Sequence, residues 1–452
     1  MNHGFRRVLI ANRGEIAARV IRTCRRLGIE TVLAVSDADA GSRPARLADA
    51  TIRVGPAAAT ASYLNVDAVV AAAVSAKADA VHPGYGFLSE NPRLARACAA
   101  AGIIFIGPAV DTLEATGDKL AAREHAVAAG LPVLPGGHVL PGSANATELA
   151  RRIGFPVLVK AAGGGGGRGL RVVREAADLA HAVAVASAEA AAAFGDARVY
   201  LERYVSRGRH VEVQLLGDGE HVIHLGDRDC SVQRRYQKLI EEAPAPLLSD
   251  PLRDGLRAAA VALGERLRYR GAGTVEFLAD TGSDAFYFLE VNARIQVEHP
   301  VTEAITGLDL VEEQIAIAEG RPLRLAQHDV TFTGHAIECR VNAEDPDHGF
   351  LPSPGTITTA VFPAGVRVDT HVQAGSSVPP HYDSLLAKLV AHGADRDQAL
   401  IRLREALDRC EIGGVTTNLR MHRALLADGE FERGGVDTGY LERVWVGVVA
   451  RG

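Results

Sequence analysis

The sequence predicts an α/β protein of several units, the first of which is a doubly wound parallel sheet. Val8–Ala11 form an apolar run, and Thr31–Val35 form a second one. Between them, apolar side chains recur at the spacing of a helix face: Ile16, Val20, Cys24 and Leu27. A strand, a helix and a strand of this kind form a βαβ unit, and similar runs continue as far as IIFIGP. Residues 1–115 are therefore predicted to form this first unit.

Further units follow, separated by changes in composition. A Pro/Gly-rich stretch at 131–143 marks the start of a smaller α/β unit. From 206 to about 320, apolar and polar residues alternate, which indicates antiparallel strands with one solvated face. A last unit starts near Thr331 with the strand HAIECRVN and contains a helix around Asp397–Cys410. The predicted boundaries are 1–115, 116–330 with a lid unit at about 133–205, and 331–447.

Composition and charge exclude several classes of function. At 452 residues the chain exceeds one compact core, and its 47% hydrophobic and 23% charged residues are ordinary for a soluble enzyme. The net charge of -6 argues against a nucleic-acid or anionic-membrane partner. The start, MNHGFRR, shows no signal-peptide core, and no stretch approaches a membrane span, so the predicted location is the cytoplasm. The five scattered cysteines, with no CxxC, favour reduced thiols.

Lysine is rare in this chain. Of 49 basic residues only five are lysine: Lys77, Lys119, Lys160, Lys238 and Lys388. Because the other basic positions are arginine, these lysines are expected where a compact ammonium is needed rather than a planar guanidinium. Chance survival is the alternative, and it is the better explanation for Lys77, which lies in a polar loop.

The most conspicuous motif is the glycine run in PVLVKAAGGGGGRGLRVV, residues 156–173. It is not a Walker loop, because Arg168 and Gly169 stand where Lys and Ser/Thr are required. A strand follows it, whereas the dinucleotide fingerprint needs a helix. A hairpin flap whose bare amides close over phosphates is the better interpretation, since five glycines cost folding entropy. A flexible loop without a ligand is the alternative.

A second motif, FLEVNARIQVEHPVTE at 288–303, alternates polar and apolar residues. At the period of a strand, five polar side chains share one face: Glu290, Asn292, Arg294, Gln296 and Glu298. Glu276, in the upstream segment GTVEF, is placed on another strand. Carboxylate and amide oxygens suit Mg²⁺ bridging ATP phosphates, so the pattern predicts a magnesium site. A solvated strand face is the alternative.

Two more segments supply polar residues. The strand RHVEVQLL places His210, Glu212 and Gln214 on one face. The segment RDCSVQRRYQKLIEEAPAP brings four residues close together: Gln233, Arg234, Arg235 and Lys238. Such a cluster beside carboxylates suits an anion site, although a charge run alone is more often solvated surface. The residues by themselves indicate a Mg-ATP enzyme with an anionic second substrate.

Taken together, these motifs resemble a known family. GDK around Lys119, PVLVK with the glycine run, GTVEF and EVNARIQVEHPVTE look like an ATP-grasp enzyme. ANRGEIA, HPGYGFLSEN, RDCSVQRR, EEAPAP and the strand with Arg340 narrow the resemblance to biotin carboxylase, from about residue 5 to about 445. The resemblance implies an ATP-grasp fold with a doubly wound N-terminal domain, a mobile glycine-flap lid and a C-terminal α+β domain. It implies ATP-dependent carboxylation of biotin on a separate carrier protein, as the first half-reaction of an acetyl-CoA or acyl-CoA carboxylase.

The resemblance also implies which residues bind ATP and its metal. The nucleotide set would be Lys119, Lys160, Gly165, Gly166, Gly167, Glu202, Val205, His210 and Gln233. In it the lysines would hold phosphates, the backbone from Glu202 to Val205 would recognise adenine, and His210 with Gln233 would contact ribose and phosphates. Mg²⁺, or Mn²⁺ in its place, would be held by Glu276, Glu290 and Asn292.

For the chemistry, the resemblance implies a bicarbonate site formed by Lys238, Arg294, Gln296 and the Val297 backbone. Glu298 would be the general base that helps bicarbonate attack the γ-phosphate to give carboxyphosphate. Arg340 would stabilise the enolate-like oxygen of biotin while the ureido nitrogen attacks CO₂. Tyr85, Gly86 and Asp383 would shape the biotin end of the site. Because carboxyphosphate hydrolyses readily, closure of the flap would exclude water.

Two residues near this site, Tyr236 and Cys230, are not included among the implied site residues. Tyr236 stands where bacterial acetyl-CoA carboxylase subunits have a histidine after the paired arginines. A phenol hydrogen-bonds but carries no charge near neutral pH, so nucleotide affinity is expected to differ. Cys230 is better explained as a buried thiol than as a nucleophile, because the chemistry needs no covalent enzyme intermediate.

Partners and rival functions complete the prediction. No Met-Lys-Met setting for biotin occurs, and no lysine follows Lys388, so the carrier and carboxyltransferase are expected on separate chains unless this is a fragment. The resemblance implies a homodimer. Two other functions stay open: an ATP-grasp ligase that joins a carboxylate to an amine, and a catalytically silent ATP-binding scaffold. A requirement for bicarbonate in ATP hydrolysis distinguishes them. The sequence does not determine the final carboxyl acceptor.

Overall fold

The computed structural model describes residues 4–140, 145–162 and 170–449. Its first unit contains β1 (Arg7–Ile10), α1 (Gly14–Leu27), β2 (Glu30–Ser36), α2 (Arg43–Leu47), β3 (Ala50–Gly55), α3 (Val66–Ser75), β4 (Ala80–His82), α4 (Pro92–Ala100), β5 (Ile104–Phe105) and α5 (Val110–Gly117). The strands form a parallel sheet in the order β3-β2-β1-β4-β5. Val8 and Ile10 pack with α1, whereas Leu9 packs with α3 and α4. Helices therefore cover both faces, which confirms the doubly wound prediction.

The lid follows this unit after the helix α6 (Lys119–Ala128). It contains β6 (Gly136–His138), α7 (Ala146–Ile153), β7 (Val157–Ala161), β8 (Arg171–Val173), α8 (Ala176–Phe194) and β9 (Val199–Arg203). Its four strands pair antiparallel in the order β6-β9-β7-β8, and the two helices share their apolar core. The antiparallel β7–β8 pair confirms strands on both sides of the glycine run. The run itself, with the predicted Gly165, Gly166 and Gly167, lies outside the described residues.

The central part of the molecule contains β10 (Arg209–Asp218), β11 (Val222–Arg234), β12 (Gln237–Ala243), α9 (Asp250–Arg266), β13 (Arg270–Asp280), β14 (Ala285–Asn292), α10 (His299–Thr306) and α11 (Leu310–Ala318). The five strands pair antiparallel, as the alternating pattern predicts. Val211 and Val213 face the core beneath them, and alternate residues of the same strand face the opposite side. This opposite side carries the polar residues of the site.

The last segment contains β15 (His335–Asn342), β16 (Glu344–Asp345), β17 (Leu351–Pro352), β18 (Gly355–Thr356), β19 (Thr359–Val361), β20 (Arg367–Thr370), β21 (Ser377–Val378), β22 (Leu385–Gly393), α12 (Arg396–Arg409), β23 (Glu411–Gly413), α13 (Leu419–Leu426), α14 (Gly429–Arg433) and α15 (Tyr440–Val449). Strand β15 pairs with β12, so the central sheet continues into this segment as β14-β13-β10-β11-β12-β15-β22-β20. A continuous eight-stranded sheet thus brings Arg340 next to the central strands. Within the described part of the chain, no helix has the length and apolarity required to cross a membrane.

The predicted length of one strand in this sheet is wrong. The alternation from Glu290 to Glu298 predicts a single strand, but β14 and its pairing with β13 end at Asn292. The Ala293 amide donates instead to the Glu90 carboxylate, 2.9 Å away, and the chain turns into α10. Pro300 in the first turn of that helix supports the change, because proline has no amide for strand pairing. The polar residues after Asn292 are therefore presented by a turn.

Candidate active site

A cleft with a volume of 1170 Å³ lies where the first unit, the lid and the long sheet meet. The site residues that the family resemblance implies, where the structure describes them, all line this cleft: Tyr85, Gly86, Lys119, Lys160, Glu202, Val205, His210, Gln233, Lys238, Glu276, Glu290, Asn292, Arg294, Gln296, Val297, Glu298, Arg340 and Asp383. The structure thus brings together residues that are more than 290 positions apart in the sequence, from Tyr85 to Asp383.

The centre of the cleft is a lysine surrounded by carboxylates. The Lys238 ammonium donates to Glu212 at 2.5 Å, to Glu276 at 2.7 Å and to Glu298 at 2.7 Å. Burial opposes its charge, but the three carboxylates outweigh burial and raise the pKa of Lys238 well above its usual value. Lys238 is therefore a permanent cation that holds three acids in one place.

Strand register explains why these groups meet. Glu212 on β10 lies directly opposite Glu276 on β13. Strands β11 and β12 form a hairpin whose turn residues Arg235 and Tyr236 have φ of 46° and 68°. This left-handed turn is of the kind that fits the twist of a hairpin, and it places Lys238 opposite Gln233. The lysine thereby reaches the face on which the two glutamates lie.

Glu298 and Arg340 form a second ion pair beside this lysine. One Arg340 nitrogen donates to Glu298 at 2.8 Å, and another lies 2.5 Å from a Glu241 oxygen. Burial raises the pKa of Glu298, but Lys238, Arg340 and Arg228 outweigh burial, and the net pKa is lowered. Glu298 is therefore ionised at neutral pH, and each of its two oxygens accepts a hydrogen bond from one of these cations.

A set of side chains with oxygen atoms that can bind a metal lies beside Lys238. Glu276 on β13 is opposite Glu290 on β14, and the Asn292 amide donates to Glu276 at 2.8 Å. His210 lies 3.0 Å from Glu276, and Lys119 lies 3.3 Å from Glu290. Burial lowers the pKa of His210, but the Glu276 carboxylate outweighs burial and raises it. Two carboxylates and an amide oxygen on adjacent strands fit Mg²⁺ by their chemistry.

The turn after β14 presents the remaining polar groups. Arg294 donates to Glu90 at 2.9 Å and to the Asn292 side chain at 2.8 Å. Gln296 donates to Glu276 at 2.9 Å and accepts from Arg228 at 2.8 Å. Both side chains reach the cleft although the predicted strand has ended, because each is held by its own hydrogen bonds.

The predicted basic cluster at 233–238 is only partly formed. Gln233 and Lys238 line the cleft. Arg234 instead donates to the Gly349 carbonyl at 2.6 Å and lies over the Phe350 ring, and Arg235 is exposed at the hairpin turn. The alternation of a strand sends adjacent residues to opposite faces, so a run of basic residues cannot all face one site.

The lid contributes a second buried cation. Lys160 on β7 donates to Glu202 on β9 at 3.0 Å, and its ammonium lies 5.4 Å from the centre of the Tyr200 ring. Burial opposes the charge of Lys160, but the Glu202 carboxylate outweighs burial and raises the lysine's pKa. Arg123 on α6 also donates to Glu202, at 3.1 Å, and so connects the lid strand to the body.

The far end of the cleft is formed by the first unit and the last segment. The Tyr85 hydroxyl donates to Glu15 at 2.5 Å, and burial together with this carboxylate raises the pKa of Tyr85. The exposed Asp383 lies 3.9 Å from Arg13, whose guanidinium stacks over the Tyr382 ring. This end is more aromatic and less crowded with charge than the centre.

Sequence reasoning missed Arg228, which holds several polar groups of the cleft in place. Arg228, fully buried, donates to Glu212, Gln296 and Thr302. Its position in RDCS, two residues before Cys230 on a strand, was the available signal.

Cys230 itself is buried, its pKa is raised chiefly by burial, and it forms no disulfide; the other four cysteines are also free and buried.

The fold and the geometry of the site together define a class of protein. A lid hairpin with a buried lysine faces an antiparallel sheet that carries paired carboxylates for a metal-nucleotide complex. This is the arrangement of an ATP-grasp ligase.

Comparisons with known proteins identify the family. Family models match residues 4–113 (biotin carboxylase, N-terminal domain), 118–326 (carbamoyl-phosphate synthase L chain, ATP binding domain) and 338–443 (biotin carboxylase C-terminal domain). The chain is 49% identical to the biotin carboxylase of Pseudomonas aeruginosa over 442 residues, which are 97% of this chain and 98% of that one.

Two solved structures agree closely with this fold. The biotin carboxylase of Campylobacter jejuni in its β-γ-ATP complex has a TM-score of 0.94 and 46% identity, covering 97% of this chain and 99% of that one. The biotin carboxylase domain dimer of the Hydrogenobacter thermophilus 2-oxoglutarate carboxylase, with MgADP and bicarbonate, has a TM-score of 0.94 and 45% identity, covering 98% of each chain. The chain belongs to the biotin carboxylase family, and its reaction is the ATP-dependent carboxylation of biotin. The first of these relatives holds β-γ-ATP and the second holds MgADP with bicarbonate, which agrees with the nucleotide, metal and bicarbonate that the sequence predicts for this chain.

Proposed function

We propose that this chain catalyses the first half-reaction of an acetyl-CoA or other acyl-CoA carboxylase in the cytoplasm, as a homodimer, with biotin on a separate carrier protein and a separate carboxyltransferase. The motifs resemble those of bacterial acetyl-CoA carboxylase subunits, but the carboxyltransferase selects the acceptor. Five free cysteines support a reducing compartment. Two relatives, each 47% identical, belong to a pyruvate carboxylase and to a methylcrotonoyl-CoA carboxylase, and they supply the alternative acceptors. The 2-oxoglutarate carboxylase domain is described as a dimer, which supports the homodimer.

The observation that carries the catalytic part of this proposal is the contact of Glu298 with both Lys238 and Arg340. We assign the bicarbonate site to the groups around this carboxylate: Lys238, Arg294, Gln296 and the Val297 amide. Cations and amides attract the bicarbonate anion, while the ionised Glu298 takes its proton. The deprotonated oxygen then attacks the γ-phosphate of ATP, which gives carboxyphosphate and ADP.

Arg340 serves the second step. It lies between Glu298 and Glu241, and burial is outweighed by these carboxylates, so the pKa of Arg340 is raised and its charge is permanent. Carboxyphosphate breaks down to CO₂ and phosphate, and the released phosphate is the base that takes the proton of the biotin nitrogen. A fixed cation at this point stabilises the negative oxygen that forms on biotin as that nitrogen attacks CO₂. Tyr85 and Asp383, which line the same cleft, would border the biotin ring.

The nucleotide is assigned to the opposite end. Lys119 and Lys160 would bind phosphates, Glu202 and the Val205 backbone would border adenine, and His210 with Gln233 would contact the ribose and phosphates. Glu276, Glu290 and Asn292 would hold Mg²⁺, which neutralises phosphate charge when bound.

The test is ADP release from Mg-ATP by the purified protein, with and without bicarbonate and free biotin, alongside Glu298→Gln. We expect release to require bicarbonate, to rise with biotin, and to fall by about 10²–10⁴-fold in the variant, because a positioned base contributes that much. Release that ignores bicarbonate would support a different ligase, and ATP binding without turnover would support a scaffold. Acetyl-CoA, pyruvate and methylcrotonoyl-CoA are then compared in the assay reconstituted with carrier and carboxyltransferase.

A further inference from the structure

Lys388 is a lysine without an assigned role. It does not lie on the protein surface, and it is not part of the proposed ATP or bicarbonate site. It lies in the middle of strand β22, and its side chain is 0% exposed. A buried ammonium is costly unless charged or polar partners surround it. Since arginine fills most basic positions of this chain, a lysine retained here indicates a place where only a compact ammonium fits.

The partners of Lys388 come from two other parts of the molecule. Its ammonium lies 2.9 Å from a Glu15 carboxylate oxygen in the first turn of α1. It also donates to the Val297 carbonyl at 2.7 Å, in the turn between β14 and α10. The Glu15 side chain is 1% exposed, so this ion pair is removed from water on both sides. One ammonium therefore joins the last segment, the first unit and the turn that precedes the proposed base.

The contact with Val297 bears directly on Glu298. A carbonyl and the next amide belong to one rigid plane, so the Val297 carbonyl and the Glu298 nitrogen move together. A charge-assisted hydrogen bond to that carbonyl fixes the plane from which the Glu298 side chain starts. On the adjacent strand β15, Arg340 lies directly opposite Lys388. The lysine thus holds the backbone next to Glu298 and lies on the strand that pairs with the strand of Arg340.

Glu15 connects the same ion pair to the other end of the cleft. The carboxylate oxygen that contacts Lys388 also accepts the Tyr85 hydroxyl, at 2.5 Å. The buried chain of contacts therefore runs from Tyr85 through Glu15 and Lys388 to the Val297 carbonyl. It spans the distance between the proposed biotin end and the proposed bicarbonate site.

We propose that Lys388 and Glu15 are a positioning pair that fixes the Val297–Glu298 peptide relative to Tyr85. The pair contacts neither substrate and holds bicarbonate and biotin at a constant separation in the cleft. This proposal rests on the proposed roles of Glu298 and Tyr85. A purely structural ion pair is the competing explanation, and it predicts a loss of stability without a selective effect on the two substrates.

The decisive variant removes both charges while keeping the shapes, Lys388→Met combined with Glu15→Gln. We expect kcat/KM for bicarbonate and for free biotin to fall by about 10²-fold, because small displacements of reacting groups have effects of that size. ADP affinity, measured by calorimetry, and the urea unfolding midpoint are expected to stay close to those of the parent protein. Lys388→Arg is expected to lose activity as well, because the wider guanidinium does not fit the buried position.

Lys77→Met is the matched control, since it removes an exposed lysine and should change nothing. If the double variant does not fold, Glu15→Gln alone is measured, and a selective loss for bicarbonate and biotin is again expected. Unchanged substrate parameters in a folded variant, or an equal loss of ADP affinity, would overturn the positioning role. Failure of the proposed function would show differently, as ADP release from the parent protein that does not depend on bicarbonate.

Discussion

The long central sheet and the lid hold their buried lysines in different ways. In the sheet, Lys238 contacts three carboxylates, and these are in turn held by Arg228 and Arg340. In the lid, Lys160 has a single carboxylate partner, Glu202. A charge held by several fixed groups is preorganised before any ligand binds, whereas a charge with one partner can exchange it for a phosphate. The comparison indicates that the centre of the cleft is the more rigid region and that the lid holds the more adaptable of the contacts proposed for the nucleotide.

The largest effect is expected when the central cation is removed. Lys238→Met leaves Glu212, Glu276 and Glu298 as neighbouring buried acids without their shared cation. We expect a loss of about 3–5 kcal/mol in the free energy of unfolding, as for other buried pairs that lose one partner. Urea unfolding followed by the single tryptophan, Trp445, which lies in the core that also contains Leu239, measures the loss. A loss no larger than that of Lys77→Met would contradict the preorganised centre.

A second prediction concerns the surplus carboxylates of the sheet. Glu241 lies directly opposite Glu338, and both are fully buried. Burial, aided by Glu298 and opposed by Arg340, raises the pKa of Glu241 from 4.5 to about 7. The folded protein therefore binds this proton more tightly than the unfolded chain does. The resulting stability is fully present below the usual pKa and is lost as the pH rises through about 7.

Glu241→Gln should remove that dependence, because an amide does not titrate. We expect the urea midpoint of the parent protein to fall more steeply than that of the variant between about pH 5 and pH 8. The exposed Glu405 supplies the control, Glu405→Gln, which should follow the parent curve. Parallel curves for Glu241→Gln and the parent would show that Glu241 stays ionised in the folded protein.

The sequence predicted the fold well and also predicted many of the residues that line the cleft, for identifiable physical reasons. Strand alternation placed His210 and Glu212 correctly, because both lie on a long, regularly paired strand. The same rule failed after Asn292. There the Ala293 amide donates to the Glu90 carboxylate, 203 positions away in sequence, instead of pairing with a neighbouring strand. Alternation carries no information about such a distant partner. For the same reason the contacts of Arg228 and Lys388, which depend on groups from other segments, could not be predicted.

In the lid, loss of the single-partner lysine should affect binding rather than folding. Lys160→Met removes one charged hydrogen-bond donor from the proposed phosphate site. We expect ADP to bind about 10–100-fold more weakly, which corresponds to one charge-assisted hydrogen bond, with little change in the urea midpoint. Arg174→Met, an exposed lid substitution, is the control for calorimetry. A drop in stability as large as that of Lys238→Met would mean that both regions are equally preorganised.

The smallest effect is expected at the surface of the lid. Arg171 on β8 donates to Glu189 on α8 at 2.5 Å, but the two side chains are 38% and 50% exposed. Water and salt screen such a pair, so Arg171→Ala should change the free energy of unfolding by about 0.2–1 kcal/mol. A double-mutant cycle with Glu189→Ala, measured at low and high salt, isolates the pair from other effects of each substitution. A coupling that is larger than this range and insensitive to salt would show that short distance alone makes an ion pair strong. If the coupling is weak and sensitive to salt, as we expect, then short distance alone does not make an ion pair strong. The strength of the Lys238 cluster would then come from its burial and its several partners.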